Sequence, residues 1–223
     1  MPANSAPGRL TAMETRDVTD LAALHSPATV AACAQTVVLV EGMSDKLAVR
    51  ALAERRGRDL DAEGVAVLAM GGSKNIRRFL DAFGPRGAGL RVAGLCDAGE
   101  ARDFQRGLEG AGFGSNLTRS DLESLGFHVC VADLEDELIR ALGADTVEQV
   151  VADHGELVAL RTFQRQPQWA GRSREEQLRR FMGTHSGRKI ECAPLLVHAL
   201  DLDRVPPPLD NLLDDLEGSR RHE

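Results

Sequence analysis

The chain has 223 residues, of which 43% are hydrophobic, and it carries a formal net charge of −7. This hydrophobic content is enough for the core of one large domain, or for a smaller core with an appendage, whereas the negative charge argues against broad electrostatic adhesion to nucleic acid or to anionic lipid. No segment approaches the roughly 18 uninterrupted apolar residues of a membrane span, and the first residues lack the apolar core of a signal peptide, so we expect a cytoplasmic protein without a membrane partner.

Short apolar runs alternate with helical patterns over the first two thirds of the chain. The predicted strands cover residues 36–40, 65–70, 90–96 and 127–132. A helix is predicted from about Asp45, with Ser44 as its N-cap. Another helix is predicted to begin at Ser73, which would be its N-cap. Because each strand is an almost continuous apolar run, the pattern predicts an α/β fold with a mainly parallel sheet covered by helices on both faces.

After Thr146 the strand pattern stops and helical patterns continue to the end of the chain. They cover the segments TVEQVVADHG, REEQLRRFMG, GRKIECAPLLVHAL and PPPLDNLLDDLEG. The first residues are rich in Pro, Ala, Ser and Gly, a composition typical of disorder. We therefore predict a disordered N-terminus over residues 1–16, an α/β domain with a leading helical segment over 17–145, and a helical C-terminal region over 146–223.

The cysteines and histidines do not form a zinc motif. Cys33, Cys96, Cys130 and Cys192 are far apart, with no CxxC pair, and the six histidines form no HxH or HExxH group. We interpret the cysteines as small buried thiols. Any metal site must then use oxygen ligands, which favours magnesium or manganese.

Carboxylates follow the ends of three predicted strands. Glu41 follows the first strand, Asp97 the third and Asp133 the fourth. The carboxyl ends of parallel strands lie along one edge of the sheet, where ligands bind at the topological switch point, so we expect these acids to converge. Asp45, one helical turn beyond the first strand, and Glu135, two residues past Asp133, can reach the same edge. Such a cluster is most easily sustained by a divalent metal.

Part of this cluster also has an ordinary structural interpretation. Asp45, Asp133 and Glu135 stand at predicted helix N-termini, where acids act as caps and interact favourably with the helix dipole. Glu41 differs, because a glutamate directly after a buried strand and before a glycine has no capping advantage. Glu41 is therefore the residue that favours a metal site over a set of caps.

The charge is uneven along the chain. Residues 161–190 contain eight cations against two acids. The arginines among them are predicted to contact phosphates, and the alternative is a solvated helical face. These arginines are Arg161, Arg165, Arg172, Arg174, Arg179, Arg180 and Arg188. Phe163 and Trp169, in the same segment, are predicted to stack on exposed bases.

Four segments together resemble a known domain. VLVEGMSD, LCDAGE, DLEDEL and SGRKIECA are similar to the motifs of the TOPRIM domain, a Rossmann-like α/β fold, and in particular to the nuclease half of the overcoming-lysogenization-defect (OLD) family. The resemblance covers roughly residues 36–200. It implies that two Mg²⁺ or Mn²⁺ ions are held by Glu41, Asp45, Asp97, Asp133 and Glu135. It also implies that Lys189 stabilises charge at the reacting phosphate, so that Glu41 and Lys189 are the candidate catalytic residues.

One motif departs from the family pattern. The third strand is usually followed by Asp-x-Asp, but here it is followed by DAG, so that Gly99 stands where the second aspartate is expected. The adjacent Glu100 is a candidate replacement ligand with a longer reach. If Glu100 does not replace the aspartate, one ion site is weakened, and the protein binds nucleic acid without cutting it efficiently.

The composition separates the functions known among TOPRIM proteins. The chain has no tyrosine, so it lacks the nucleophile of a topoisomerase, and it has no cysteine-rich zinc module of the kind found in primases and recombination mediators. Metal-dependent hydrolysis of phosphodiester bonds remains, by an endonuclease or nickase acting on DNA, with RNA as the alternative substrate. A phosphoaspartyl device is a further alternative, but the first strand is not followed by the acid motif that it needs.

The OLD resemblance also raises the question of ATP. OLD proteins carry an ABC-type ATPase half, but this chain has no GxxxxGK[ST] motif, and GTHSGRK has the wrong spacing. We therefore expect a TOPRIM domain that does not hydrolyse ATP by itself. The alternative to a nuclease is a catalytically weakened module that binds nucleic acid or a separately encoded ATPase partner.

Overall fold

The computed structural model describes residues 27–218, and the predicted disorder over residues 1–16 lies outside them. A four-stranded parallel sheet with the order β2-β1-β3-β4 forms the centre of this part of the chain. The strands are β1 (Thr36–Val40), β2 (Val65–Ala69), β3 (Arg91–Cys96) and β4 (Phe127–Val129). The predicted α/β fold with a parallel sheet is therefore confirmed.

Helices connect the strands and form most of the C-terminal region. They are α1 (Pro27–Cys33), α2 (Met43–Arg55), α3 (Ile76–Phe83), α4 (Ala101–Ala111), α5 (Arg119–Ser124), α6 (Leu134–Leu142), α7 (Ala144–Asp153), α8 (Leu157–Gln164), α9 (Arg174–Met182), α10 (Ser186–Ala199) and α11 (Pro207–Gly218). Short 3₁₀ turns span Ser73–Asn75, Ala98–Glu100 and Leu202–Arg204. Among residues 27–218, no helix combines the length and the apolar composition that crossing a membrane requires.

The sheet has a hydrophobic core on each face. Alternate residues of a strand point to opposite faces, and in β1 this places Val37 and Leu39 in one core and Val38 and Val40 in the other. The first core also contains apolar side chains of α1, α3, α4 and α5, and the second those of α2 and of the helices from α6 onward. The described part of the chain thus has three layers, and the carboxyl ends of the strands lie between two helical layers.

Several predicted boundaries differ from the structure. Ser44 lies inside α2, because the helix begins at Met43 after Gly42, and β4 ends at Val129 rather than at residue 132. The sequence pattern does not predict α8, a short helix that buries Leu160 and Phe163. Of the four cysteines, Cys33 is exposed, so the prediction that all are buried is wrong for that residue.

Candidate metal centre

Glu41 and Asp97 leave neighbouring strands at the same edge of the sheet. β1 and β3 are adjacent, and Val40 is paired with Leu95, so Glu41 and Asp97 begin the loops that follow the two strands. β2 lies on the other side of β1, so the chain reverses its direction of winding between β1 and β3. This is the topological switch point at which open parallel sheets bind ligands.

Glu41 has a carboxylate oxygen without a protein partner. Its Oε2 atom is buried and accepts no hydrogen bond from the described residues. The backbone of Glu41 is fixed, because its carbonyl oxygen accepts hydrogen bonds from the amides of Gly71 and Gly72 at 3.0 and 3.1 Å. These glycines have φ values of 71° and 118°, which glycine adopts without steric cost. Burial, and then the nearby charge of Glu100, raise the pKa of Glu41.

Asp45 combines a structural contact with a place in the cluster. Its Oδ2 atom accepts a hydrogen bond of 2.8 Å from the amide of Gly42, which stabilises the start of α2. Burial raises the pKa of Asp45 to about 6, and the charges of Glu135 and Glu41 act in the same direction, whereas the bond from Gly42 opposes them. Asp45 therefore carries a charge that the protein only partly compensates.

Asp97 experiences the charge of the whole cluster. It begins the turn Ala98–Glu100, but its side chain makes no capping bond. Burial raises the pKa of Asp97 to about 7, followed by repulsion from Asp45, Asp133, Glu41 and Glu135. The five acids predicted to converge are therefore close enough to interact, and Asp97 lies among the others.

Asp133 and Glu135 are already engaged by protein groups. Asp133 caps α6 by accepting a hydrogen bond of 2.8 Å from the amide of Asp136, and its other oxygen lies 2.7 Å from the Arg179 guanidinium. Glu135 is buried, and its Oε2 atom accepts a hydrogen bond of 2.8 Å from Lys189. The capping interpretation is thus correct for Asp133, and a metal role for either residue is a proposal rather than an observed geometry.

Lys189 reaches the site from α10, which lies in the same helical layer as α2 and α6. Burial lowers the pKa of its ammonium group, but the charge and hydrogen bond of Glu135, together with the charges of Asp133 and Asp97, outweigh this effect and raise it. Lys189 therefore stays protonated at neutral pH. Its charge in turn lowers the pKa of Glu41, so a fixed cation stands beside the unpartnered carboxylate.

Ser73 connects two further acids to the site. Its buried hydroxyl lies 2.6 Å from Oε2 of Glu100 and 3.0 Å from Oδ2 of Asp103. A hydroxyl has one proton, so it can donate to only one of these carboxylates at a time. In the sequence, Ser73 has the position of a helix cap, and Asp103 is not among the predicted site residues. The spacing of Glu100 and Asp103, one helical turn apart, was the available signal that both face the same way.

The carboxylates have the donor atoms and the charge that a hard divalent cation requires, but their oxygens do not yet converge on one metal position. Among residues 27–218, no three His, Cys, Asp or Glu side chains are placed to hold an ion as they stand. The donors are nevertheless all oxygens. Burial and mutual repulsion raise the pKa values of Glu41, Asp45 and Asp97. One carboxylate oxygen of Glu41 has no hydrogen-bond partner among the described residues. A divalent cation would neutralise this repulsion.

A cleft of about 550 Å³ opens beside the centre. Its lining includes Asp133 and Lys189 from the centre, the further acids Asp136, Glu175 and Glu176, and Trp169, Arg179 and Arg180. The cleft therefore links the acidic centre to two of the predicted phosphate-binding arginines.

Most of the predicted phosphate-binding arginines form internal ion pairs. Arg161 and Arg174 both contact Glu148 on α7, at 2.7 and 3.1 Å, and the buried Arg188 pairs with Glu156. Arg172, which precedes α9, lies 3.8 Å from Glu176 in that helix, and Arg179 pairs with Asp133. Among residues 27–218, Arg165 and Arg180 form no ion pair. Phe163 is buried and stacks on Trp169 with ring centroids 5.2 Å apart, so it is not free to stack on a base.

Comparisons with known proteins agree with this architecture. Residues 33–98, which include Glu41, Asp45 and Asp97, match the family model described as the TOPRIM domain of overcoming lysogenization defect protein-like proteins. The C-terminal region of the Burkholderia pseudomallei OLD protein superposes with a TM-score of 0.64 at 20% identity, covering 83% of this chain and 98% of that one. The C-terminal region of the Xanthomonas campestris pv. campestris OLD protein gives a TM-score of 0.65 at 24% identity, covering 85% and 98%.

The resemblance stated from the four sequence motifs is thereby confirmed, and the fold is that of the C-terminal region of OLD proteins. No curated protein sequence matches the chain. Asp133, Glu135 and Lys189 lie outside the matched residues 33–98, so their roles depend on the structure of the site.

Proposed function

We propose that this chain, with its OLD-like TOPRIM domain, is a metal-dependent nuclease that hydrolyses phosphodiester bonds as an endonuclease or nickase. The observation that carries the proposal is the buried, unpartnered Oε2 atom of Glu41 at the switch point of the sheet, beside Asp97 and the protonated Lys189. TOPRIM domains generally bind divalent metal, which agrees with this set of oxygen donors. DNA is the proposed substrate and RNA the alternative.

The residues divide into two groups of candidate ligands. Glu41, Asp45 and Asp97 would hold a first Mg²⁺ or Mn²⁺ ion, because the protein compensates their charges least. The candidates for a second ion are Glu100, which would take the part of the acid replaced by Gly99, with Asp133 and Glu135. When bound, such ions activate water and neutralise charge on the phosphate.

The remaining residues would bind and orient the substrate. Lys189 presents a fixed positive charge whose position is set by its bond to Glu135, and we propose that it stabilises the charge that develops on the phosphate in the transition state. Arg180, without an ion pair among the described residues, would contact a neighbouring phosphate through the cleft. Arg179 would do the same after release from Asp133.

A second candidate function is a module that binds nucleic acid, or a separately encoded ATPase partner, without efficient cleavage. Two observations favour it: Gly99 replaces an expected acid, and the carboxylates of Asp133 and Glu135 are already paired with cations. This function would keep the fold and the binding surface, whereas the second ion would be held weakly or not at all.

Incubation of the purified protein with supercoiled plasmid and with single-stranded DNA and RNA, in Mn²⁺, Mg²⁺ or chelator, separates the candidates. A nuclease should nick or cut at least one substrate with metal and none with chelator, and Glu41→Gln should abolish this activity. Binding without cleavage under every condition would favour the weakened module. If neither binding nor cleavage is found, the nuclease and the nucleic-acid-binding module are both wrong.

A further inference from the structure

Four exposed cations without ion pairs lie on α3, α4 and the turn before α3. Lys74 and Arg78 are one helical turn apart, as are Arg102 and Arg106, and all four side chains are exposed. Among residues 27–218, none of the four pairs with an acid. Arg78 also lies over the ring of Phe79, 5.2 Å from its centroid, which leaves its charge available. We call these four residues the α3/α4 face.

The two helices that carry these cations pack closely against each other. A Cβ atom on Gly107 would lie 2.7 Å from Cγ2 of Ile76, so only glycine permits this approach of α4 to α3. The helices follow parallel strands and run side by side, with Ser73 opposite Glu100 and Asp103 at one end. Asp103, whose Oδ2 atom lies 3.0 Å from the Ser73 hydroxyl, forms no ion pair with the cations of the face among residues 27–218.

The α3/α4 face and the cleft lie on opposite sides of the metal centre. α3 and α4 cover one face of the sheet, whereas α9 and α10, which carry Arg180 and Lys189, cover the other. The bonds of Ser73 to Glu100 and Asp103 place the beginning of the α3/α4 face next to the centre. A helix packs about 10 Å from a neighbouring layer, so helices on the two faces of the sheet have axes at least about 20 Å apart, and the two basic surfaces are farther apart than this.

We propose that the α3/α4 face binds the sugar-phosphate backbone of the substrate strand on the far side of the metal centre from the cleft. The proposal rests on the proposed function, since it assigns a path to the same substrate. Since nucleotides along one strand are at least about 3.4 Å apart, a strand of several nucleotides is needed to reach both surfaces. The preferred substrate is therefore an extended polynucleotide that crosses the sheet edge, and a mononucleotide or dinucleotide engages only part of the site.

Fluorescence anisotropy with labelled single-stranded DNA of 4 to about 12 nucleotides tests this path. Calcium, a hard cation that takes oxygen ligands, replaces magnesium, and a gel verifies that the strand stays intact. The test protein is Arg102→Gln/Arg106→Gln. The control is Arg91→Gln/Arg204→Gln, which removes the same charge from two exposed arginines that also lack ion pairs among residues 27–218 and that lie outside α3 and α4.

The wild-type protein should bind more tightly as the strand is lengthened toward 12 nucleotides. Arg102→Gln/Arg106→Gln should lose about threefold to thirtyfold in affinity for the longest strand. Its slope of log affinity against log salt should fall by about 1.4, since each phosphate contact to a single strand contributes about 0.7. The control should keep the wild-type slope and the wild-type gain with length.

Equal losses in both variants would overturn the proposal, because the effect would then be one of total charge. Binding of the test variant that matches the wild type at every length would overturn it as well, and would leave the proposed nuclease function standing if the wild type cleaves DNA. If the wild type binds no strand of any length, the proposed function and the α3/α4 path fail together.

Discussion

Replacing Asp97 by asparagine should stabilise the metal-free protein, although it damages the proposed site. Asp97 titrates at about 7 in the folded chain, against an ordinary value of 3.8. A tenfold difference in proton affinity is worth about 1.4 kcal/mol, so the charged form costs the folded state at most about 4 kcal/mol. Water penetration and side-chain rearrangement reduce this value, and we expect a gain of about 1 to 3 kcal/mol at pH 8.

The sign and the pH window of this effect follow from proton binding. The folded state keeps the Asp97 proton to a higher pH than the unfolded state does, so the wild type loses stability as the pH rises from about 4 to about 7. The advantage of Asp97→Asn should therefore be small near pH 4, grow through this window and remain constant above it. Manganese should reverse the order at pH 8, because an ion that binds the folded wild type stabilises it by mass action.

Urea unfolding in chelator and in Mn²⁺, at several values between pH 4.5 and 8, measures both effects. Asp203→Asn serves as the charge control, because Asp203 is exposed and forms no ion pair among residues 27–218. A gain from Asp97→Asn that is the same at pH 4.5 and pH 8 would refute the argument from repulsion. A loss of stability at pH 8 in chelator would show that Asp97 has a structural partner. If Mn²⁺ stabilised the wild type and Asp97→Asn equally, Asp97 would not be a metal ligand.

Three further predictions test other parts of the molecule. Glu41→Gln should keep the fold and lose most of the Mn²⁺-induced rise in melting temperature. An equal rise in the wild type and in this variant would show that Glu41 is not a metal ligand. Lys189→Met should abolish cleavage and destabilise the fold by about 1 to 3 kcal/mol in urea unfolding, because it leaves the buried Glu135 without its cation. Lys189→Arg should recover stability more than activity. Gly94→Ala should cost about 2 kcal/mol or more, because its Cβ would lie 2.8 Å from the ring of Phe127, and unchanged thermal stability would refute this.

The location of Glu41 and Asp97 at one edge of the sheet could be predicted, because it does not depend on the order of the strands. In a parallel sheet all strands end at the same edge, so an acid after any strand lies along that edge. The apolar runs identified the strands, and the observed register of β1 and β3 then places the two acids on neighbouring strands. The order β2-β1-β3-β4, by contrast, depends on long-range packing that the local pattern does not contain.

The environment of Ser73 could not be predicted, because the close packing of two helices creates it. In the sequence, a serine after two glycines and before a helical pattern is typical of a cap. In the structure, Gly107 lets α4 approach α3, and Ser73 then lies between Glu100 and Asp103. The glycines of α4 are evident in the sequence, but their partner helix is not.

The charge that residues 161–190 present to a substrate cannot be judged from a count of charges along the sequence. Residues 161–190 are rich in cations when counted alone, but the fold brings Glu148 and Asp133 from earlier elements against Arg161, Arg174 and Arg179. These ion pairs connect the helices of this layer. They also neutralise part of the positive charge that a substrate would otherwise meet. The cations of the α3/α4 face are fewer and are spread over two segments, so a count along the chain does not distinguish them. A polyanion responds to charge that remains unpaired after folding, and this favours the α3/α4 face, together with Arg180, over most of the segment that the sequence indicated.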